Sequence, residues 1–334
     1  MTQEQVQKLI VSKIFPHGKS MQVEVIETPI SQVLLTPRYV YKIKKAVRLN
    51  FLDFTTLTLR KKYCEEEIRL NRRFSPQMYL NVCPIYSDGR EVSFLKIGKI
   101  IDYAVQMKHM DTKKEMLRMI EQGKVNTNHI LSLAKIIAQF HTQEKSLKIN
   151  YRPLFIADEY ADISSVLSTV KKYLPKEVAV QVQQCIKASY LFVNKNSDFI
   201  LQRVKSGYFK DCHGDLHMRN IFLYQKPILF DCIEFKKEFR QIDILNDLAF
   251  LAMDLEASGK KEWAKSLIQA YQKQMNETWD DETSLLFLYF KSFRACVRAK
   301  VAMLSLIDHS DDDNIKKEVI KYVNLMTSYI QLIR

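Results

Sequence analysis

No part of the chain constrains it more than Cys212-His213-Gly214-Asp215-Leu216-His217-Met218-Arg219-Asn220-Ile221, followed by Ile228-Leu229-Phe230-Asp231. This stretch sets a carboxylate at Asp215, an amide at Asn220 and a second carboxylate at Asp231, each flanked by apolar residues. Ile221 to Tyr224 and Pro227 to Phe230 read as short apolar strands around a Gln225-Lys226 turn, which carries Asp231 back beside Asn220. Three oxygen-bearing side chains in this order suit a hard divalent cation and a group that orients a hydroxyl. Phosphoryl transfer asks for little more from a protein. The order assigns Asp215 as the base and Asn220 and Asp231 as the metal ligands.

Two other readings compete for the same residues. A short polar string alone is no more than a loop, and its flanking strands are what raise it above that. His213, Asp215 and His217 also alternate next to Cys212, so on an extended strand all three would share a face as ligands of a metal hydrolase. That reading lacks the further distant ligand a zinc site normally takes.

Before this stretch the pattern changes once. Val6, Leu9, Ile10 and Ile14 predict an amphipathic helix from Gln3 to about Phe15. Extended segments follow at Val23 to Glu27, Gln32 to Thr36 and Tyr39 to Lys45, with a turn at Pro37-Arg38. Thr55 or Thr56 caps a helix running to about Phe74, where Ser75-Pro76 stops it. Segments at Val82 to Tyr86, Glu91 to Leu95 and Ile101 to Met107 complete an antiparallel sheet. From Asp111 the period is helical, with helices expected over Asn128 to His141, about 157–173 and 177–193, from Asp247, and over Phe287 to Ile307. Asp247 is expected to brace the loop around Asp215, and Arg294 and Arg298 share a helix face, open either to an anionic group or to acidic residues nearby.

Cys-His-Gly-Asp-Leu-His-x-x-Asn-Ile, then Phe-Asp-Cys-Ile-Glu-Phe, Arg240-Gln241-Ile242-Asp243 and Asp247 to Leu255 together resemble the aminoglycoside-phosphotransferase-like branch of the protein-kinase-like fold. The similarity is greatest to bacterial aminoglycoside phosphotransferase-domain proteins, many of which carry an additional P-loop ATPase domain. It implies an α+β, two-lobed protein: a nucleotide-clamping antiparallel lobe over 1–109 with a key helix at about 55–74, then a mainly helical lobe over 110–334 with the catalytic loop at 212–221. It implies ATP and Mg2+ as cofactors and a small-molecule hydroxyl as acceptor. Lys42 then reaches the α- and β-phosphates, with Lys44 on the same strand face as the alternative. Glu67 is its helix partner, with Glu66 the alternative, and Met107 to Met110 cross between lobes along the adenine. Past Asp231, Cys232-Ile233-Glu234-Phe235 stands in place of the kinase Asp-Phe-Gly, and Glu234 approaches a second metal or the substrate, or else pairs with a cation. The turn Thr28-Pro29-Ile30-Ser31 departs from the family in having no glycine, which leaves only the hydroxyls of Thr28 and Ser31 to touch phosphate. This departure and Asp-Cys-Ile-Glu support the alternative of a nucleotide-binding pseudokinase or regulatory module without turnover.

Composition narrows the remaining classes. A length of 334 residues suits two lobes, and 47% hydrophobic with 27% charged residues is ordinary for a globular protein. No apolar run spans a bilayer and the first residues lack the layout of a signal peptide, so a cytoplasmic protein without membrane partners is expected. Six cysteines without Cys-x-x-Cys pairs fit reduced thiols. The formal charge of +13 draws anions and argues against a polycationic acceptor such as an aminoglycoside. No nucleic-acid reader motif accompanies that charge, so nucleic acid is not an expected partner. No G-x-x-x-x-G-K-[ST] string occurs, and the additional ATPase domain is expected to be absent.

Overall fold

A computed structural model describes residues 1–333. By their internal contacts the residues form two units: Met1–Gln122 with Asn220–Tyr224 and Ile228–Phe239, and Gly123–Arg219 with Gln225–Pro227 and the chain from Arg240 onward. The first unit therefore runs past residue 109 and takes back two later segments.

In the first unit, α1 (Gln3–Ser12) starts in a capping box between Thr2 and Gln5 and ends at Lys13, whose φ of 54° is left-handed. This ends the helix short of Phe15 and leads into a small hairpin, β1 (Ile14–Phe15) with β2 (Gly18–Lys19). The main sheet is antiparallel in the order β3-β4-β5-β10-β8-β9: β3 (Glu24–Glu27), β4 (Ser31–Leu35), β5 (Tyr39–Lys44), β8 (Tyr79–Ser87), β9 (Val92–Ser93) and β10 (Lys99–Lys108). Another hairpin, β6 (Arg48–Leu49) with β7 (Leu52–Asp53), precedes α2 (Leu57–Asn71), whose N-cap Thr56 accepts the Leu59 N–H.

Side chains alternate across a strand, so β5 serves two cores at once. Tyr41 and Ile43 join Val6 and Leu9 of α1 with Leu34, Ile85 and Ala104. Val40 joins Cys64 and Ile68 of α2 with Tyr79, Val105 and Met107. Burying a side chain such as Leu34 or Ile43 contributes roughly 1.5–3 kcal/mol. Lys42 and Lys44 follow Val40 in parity and so emerge on the α2 side. The free N-terminus is fastened too, with its ammonium 2.6 Å from Asp102 Oδ2, while Arg60 Nε holds Asp102 Oδ1 at 2.8 Å. After α3 (Met116–Glu121), the two returning segments pair antiparallel, Ile221 with Leu229 and Phe222 with Ile228. Leu223 N–H donates to Lys114 O at 2.7 Å, which ties this ladder to the unit.

The second unit is helical. Asn126 and His129 form the capping box of α4 (Thr127–Gln143). The single helix expected over 157–173 is instead α5 (Leu154–Ala161), α6 (Ile163–Val170) and a 3-10 turn at Lys171–Tyr173. Ser164 and Ser165 hydroxyls donate to the carbonyls of Ala161 and Asp162, competing with the helix ladder where it breaks. Next come α7 (Lys176–Lys195) and α8 (Ser197–Lys205), the latter not foreseen from sequence. Phe209–Asp211 then pairs with Gln241–Asp243. The next helix, α9 (Ile244–Ala257), begins at Asp243 rather than Asp247. Asp243 accepts the Leu245 N–H at 2.8 Å while its carboxylate grips Arg203 at 2.6 and 2.9 Å, so the start of the helix is fixed by an ion pair as well as a cap. Three helices complete the unit, α10 (Lys261–Met275), α11 (Asp281–Asp308) and α12 (Asp313–Leu332). All six cysteines are buried and none forms a disulfide. No helix among the described residues is long and apolar enough to cross a membrane.

Candidate functional site

In the first unit, two lysines from β5 close on one carboxylate of α2. Lys42 Nζ lies 3.0 Å from Glu67 Oε1 and Lys44 Nζ lies 2.7 Å from Glu67 Oε2. Burial alone would raise the Glu67 pKa, but the two ammonium groups outweigh it and hold the carboxyl down to about 2. Glu66, one residue earlier, faces outward and pairs with Arg69. The lysines differ in their second partner. Lys42 donates to Asp231 Oδ1 at 2.6 Å, and Lys44 donates to Glu234. They differ in reach as well, because the Lys44 side chain is 1% exposed and that of Lys42 14%. Burial by itself would lower the Lys42 pKa, and Asp231 and Glu67 overcome this and raise it. Glu234 is therefore the partner of a cation. Its own pKa is raised by burial and by the neighbouring Glu67 charge, against the pull of Lys44.

Asp231 stands in a left-handed backbone conformation, with φ of 64°. Such a φ costs a residue with a Cβ some energy, and Asp and Asn tolerate it best. Side chains from the preceding elements hold this segment by its main chain. Ser75 Oγ donates to Leu229 O at 2.7 Å, Asp231 N–H donates to Tyr79 Oη at 3.0 Å, and Cys232 N–H donates to Asn71 Oδ1 at 2.9 Å. Nothing in the sequence pattern gives Asn71, Ser75 or Tyr79 this role, because their partners lie more than 150 residues away. Asn220 also belongs to this unit, and its carbonyl accepts the Phe230 N–H at 3.1 Å, next to Asp231. Met107 is buried in the α2-side core and Met110 packs partly buried against it. Between them, Lys108 N–H donates to Met78 O and His109 N–H to Arg38 O, each at 2.9 Å. The turn at Thr28–Ser31 is closed on itself, with Thr28 Oγ1 accepting the Ser31 N–H at 2.9 Å and Thr28 N–H donating to Ser31 O at 2.9 Å.

Asp215 belongs to the second unit. The strand before it ends at Asp211, so residues 212–217 form a loop and not the extended face that a shared metal would need. Each histidine of the loop also gives its Nδ1 to a main-chain N–H, His213 to that of Asp215 at 3.3 Å and His217 to that of Arg219 at 3.2 Å. These bonds replace the alternating-ligand reading. Asp247 braces the loop by accepting the N–H groups of His213, at 3.1 Å, and Gly214, at 2.8 Å. Arg294 Nη1 donates to Gly214 O at 2.9 Å and its Nε donates to Asn246 Oδ1 at 2.7 Å, so both sides of Gly214 are gripped by buried charged groups. Arg298 pairs with Glu318 at 3.0 Å.

Burial would raise the Asp215 pKa, but His217, His213 and Arg298 outweigh it and hold the carboxyl below its ordinary value. His141 lies behind the brace, its Nε2 3.2 Å from Asp247 and its Nδ1 2.8 Å from the Tyr271 hydroxyl. Together with Cys212 and Asp247 it forms a buried group with ligand atoms within 4.8 Å of one another. Because both ring nitrogens of His141 already have partners, this group is a packing knot.

No family model matches the chain. Uncharacterized proteins of Mycobacterium tuberculosis and Mycobacterium bovis are 28% identical to it over 288 residues, 84% of this chain and 54% of theirs. The chain thus spans about half the length of the curated relatives it matches. Among solved structures, an amicoumacin kinase in complex with AMP-PNP, Ca2+ and Ami superposes with a TM-score of 0.58 at 13% identity, covering 98% of this chain and 94% of that one. Choline kinase from Cryptosporidium parvum gives 0.57 at 14%, with the same coverage. The GDP complex of aminoglycoside 2'-phosphotransferase-IIIa gives 0.55 at 12%, covering 98% and 99%. The chain has the protein-kinase-like fold, in the form it shares with choline/ethanolamine kinases and aminoglycoside phosphotransferases.

Proposed function

We propose that the protein is a small-molecule kinase, moving the γ-phosphoryl group of MgATP to an acceptor hydroxyl. The observation that carries this reading is the bonding of Lys42 to both Glu67 and Asp231, in a fold whose solved examples include an amicoumacin kinase with AMP-PNP and a phosphotransferase with GDP. In this reading Glu67 aims the Lys42 ammonium at the α- and β-phosphates. Lys44 stays with Glu67 and Glu234 as a buried strut. The Asp231 carboxylate and Asn220 amide are hard oxygen donors and fit magnesium. When bound, that ion neutralises charge on the phosphate oxygens during transfer. Met110 N–H, which has no hydrogen bond among the described residues, is the donor left for the adenine edge between Met107 and Met110.

Asp215 orients the acceptor hydroxyl and receives its proton. A carboxylate held below its usual pKa is a weak base, and a loose phosphoryl transition state needs the proton removed only late. The acceptor in this reading is not a polycation, given a formal charge of +13 and the nearness of Arg298 to Asp215. The test is Asp215→Asn, expected to retain MgATP binding by calorimetry while losing ATP consumption on a panel of hydroxyl metabolites. Unchanged turnover would overturn the reading. The self-closed turn at Thr28–Ser31 favours a second reading, a nucleotide-binding module without turnover. Tight MgATP binding by the unmutated protein with no consumption on any acceptor would support it.

A further inference from the structure

The two histidines of the Asp215 loop are built alike and do different things. In both, Nδ1 accepts a main-chain N–H two residues on, so Nδ1 carries the lone pair and the ring proton sits on Nε2. His213 spends this bond on the Asp215 backbone. His217 bonds Arg219 instead, which turns its Nε2 towards the Asp215 side chain, 3.3 Å from Oδ2.

The His217 ring cannot readily turn away. It is 8% exposed and meets Phe250 edge-on, with ring centroids 5.4 Å apart at 67°, and Phe250 in turn lies 4.9 Å from the Arg294 guanidinium. Its main chain is pinned as well: His217 N–H donates to Asp215 O at 3.0 Å, and the next N–H, of Met218, donates to Asp254 Oδ2 at 2.9 Å. Asp254 in turn accepts from the Tyr322 hydroxyl at 3.3 Å. The loop therefore presents a rigid N–H donor to one oxygen of a carboxylate whose side chain is one-third exposed.

We infer that His217 is a positioning residue for Asp215: a neutral imidazole, protonated at Nε2, that holds the carboxylate by Oδ2 and so sets the direction it presents to the acceptor hydroxyl. A carboxylate held by a rigid donor keeps one orientation, and alignment of the reacting atoms is worth more in this chemistry than base strength. The inference rests on the assignment of Asp215 as the base, and it adds a residue that acts only through Asp215.

Two measurements test it, one of them independent of activity. Nitrogen-15 spectra of the histidine rings in the intact protein at neutral pH are expected to show His217 neutral with its proton on Nε2. A proton on Nδ1, or a doubly protonated ring, would overturn the inference. The second uses MgATP hydrolysis by water, which needs no identified acceptor. His217→Ala is expected to lower kcat by about tenfold or more with the KM for ATP within about twofold, and His217→Gln, whose amide N–H can stand near Nε2, to recover most of the loss. Equal kcat for His217→Ala and the unmutated protein, with Asp215→Asn inactive, would sink the role of His217 and leave that of Asp215 standing. Full activity in Asp215→Asn would sink the base assignment itself. Thermal unfolding of both His217 variants shows whether a loss is one of folding, in which case the ring spectra decide.

Discussion

Asp231 donates its main-chain N–H to the buried hydroxyl of Tyr79 at 3.0 Å, and it does so from a left-handed backbone. A side chain of β8 thus holds the proposed metal ligand in a conformation the chain would not choose unaided. Tyr79→Phe keeps the ring and removes the acceptor. It is expected to cost about 1–3 kcal/mol by urea denaturation and to weaken MgATP binding several-fold by calorimetry. An unchanged affinity would show that Asp231 keeps its place without the hydroxyl.

The φ of Asp231 separates its backbone role from its charge. Asn suits the left-handed region nearly as well as Asp, whereas Ala does not. Asp231→Asn is therefore expected to be nearly as stable as the unmutated protein by urea denaturation, and Asp231→Ala about 1 kcal/mol less stable. Both variants are expected to lose magnesium-dependent nucleotide binding, which a thermal-shift titration with ATP, with and without magnesium, reads directly.

Lys42 and Lys44 share Glu67 but have different consequences. Lys44→Met leaves Glu67 and Glu234 buried with less countercharge and is expected to cost about 3–5 kcal/mol, the range for breaking a buried pair from one side. Lys42→Met leaves Lys44 on Glu67 and frees an Asp231 that is 40% exposed, so its expected cost is smaller. Nucleotide affinity reverses the order, since Lys42 is the lysine proposed to meet phosphate. If Lys42→Met bound ATP as tightly as the unmutated protein, Lys44 would have to be reconsidered.

Asp247 gives the second unit a signature in acid. Burial would raise its pKa, but its bonds to His141 and the nearby His213 and Arg294 hold it below the ordinary 3.8. A carboxyl depressed in the folded state adds stability that is complete above its unfolded value and fades as pH falls below it. The stability gap between the unmutated protein and Asp247→Asn is therefore expected to be constant at neutral pH and to narrow below about pH 4. A gap that widened in acid would contradict the assignment.

Much of the arrangement is legible in residue order alone. Alternation in Tyr39 to Lys44 placed Lys42 and Lys44 on one face, and the apolar runs around Gln225-Lys226 returned Asp231 to the main chain beside Asn220. These are local patterns, in which side-chain direction follows from backbone periodicity. Helix ends were legible where a cap was present, as at Thr56, and not where serine hydroxyls competed for carbonyls, as after Asp162.

Packing across the fold is what encloses Lys44 while Lys42 reaches outward, pairs Glu234 with a lysine, and sets Tyr79, Asn71 and Ser75 against the backbone around Asp231. It also turned two histidines that looked like metal ligands into holders of the Asp215 loop. Each of these depends on which buried donor meets which acceptor across long separations. That choice is made when the core packs and leaves no periodic trace in the sequence.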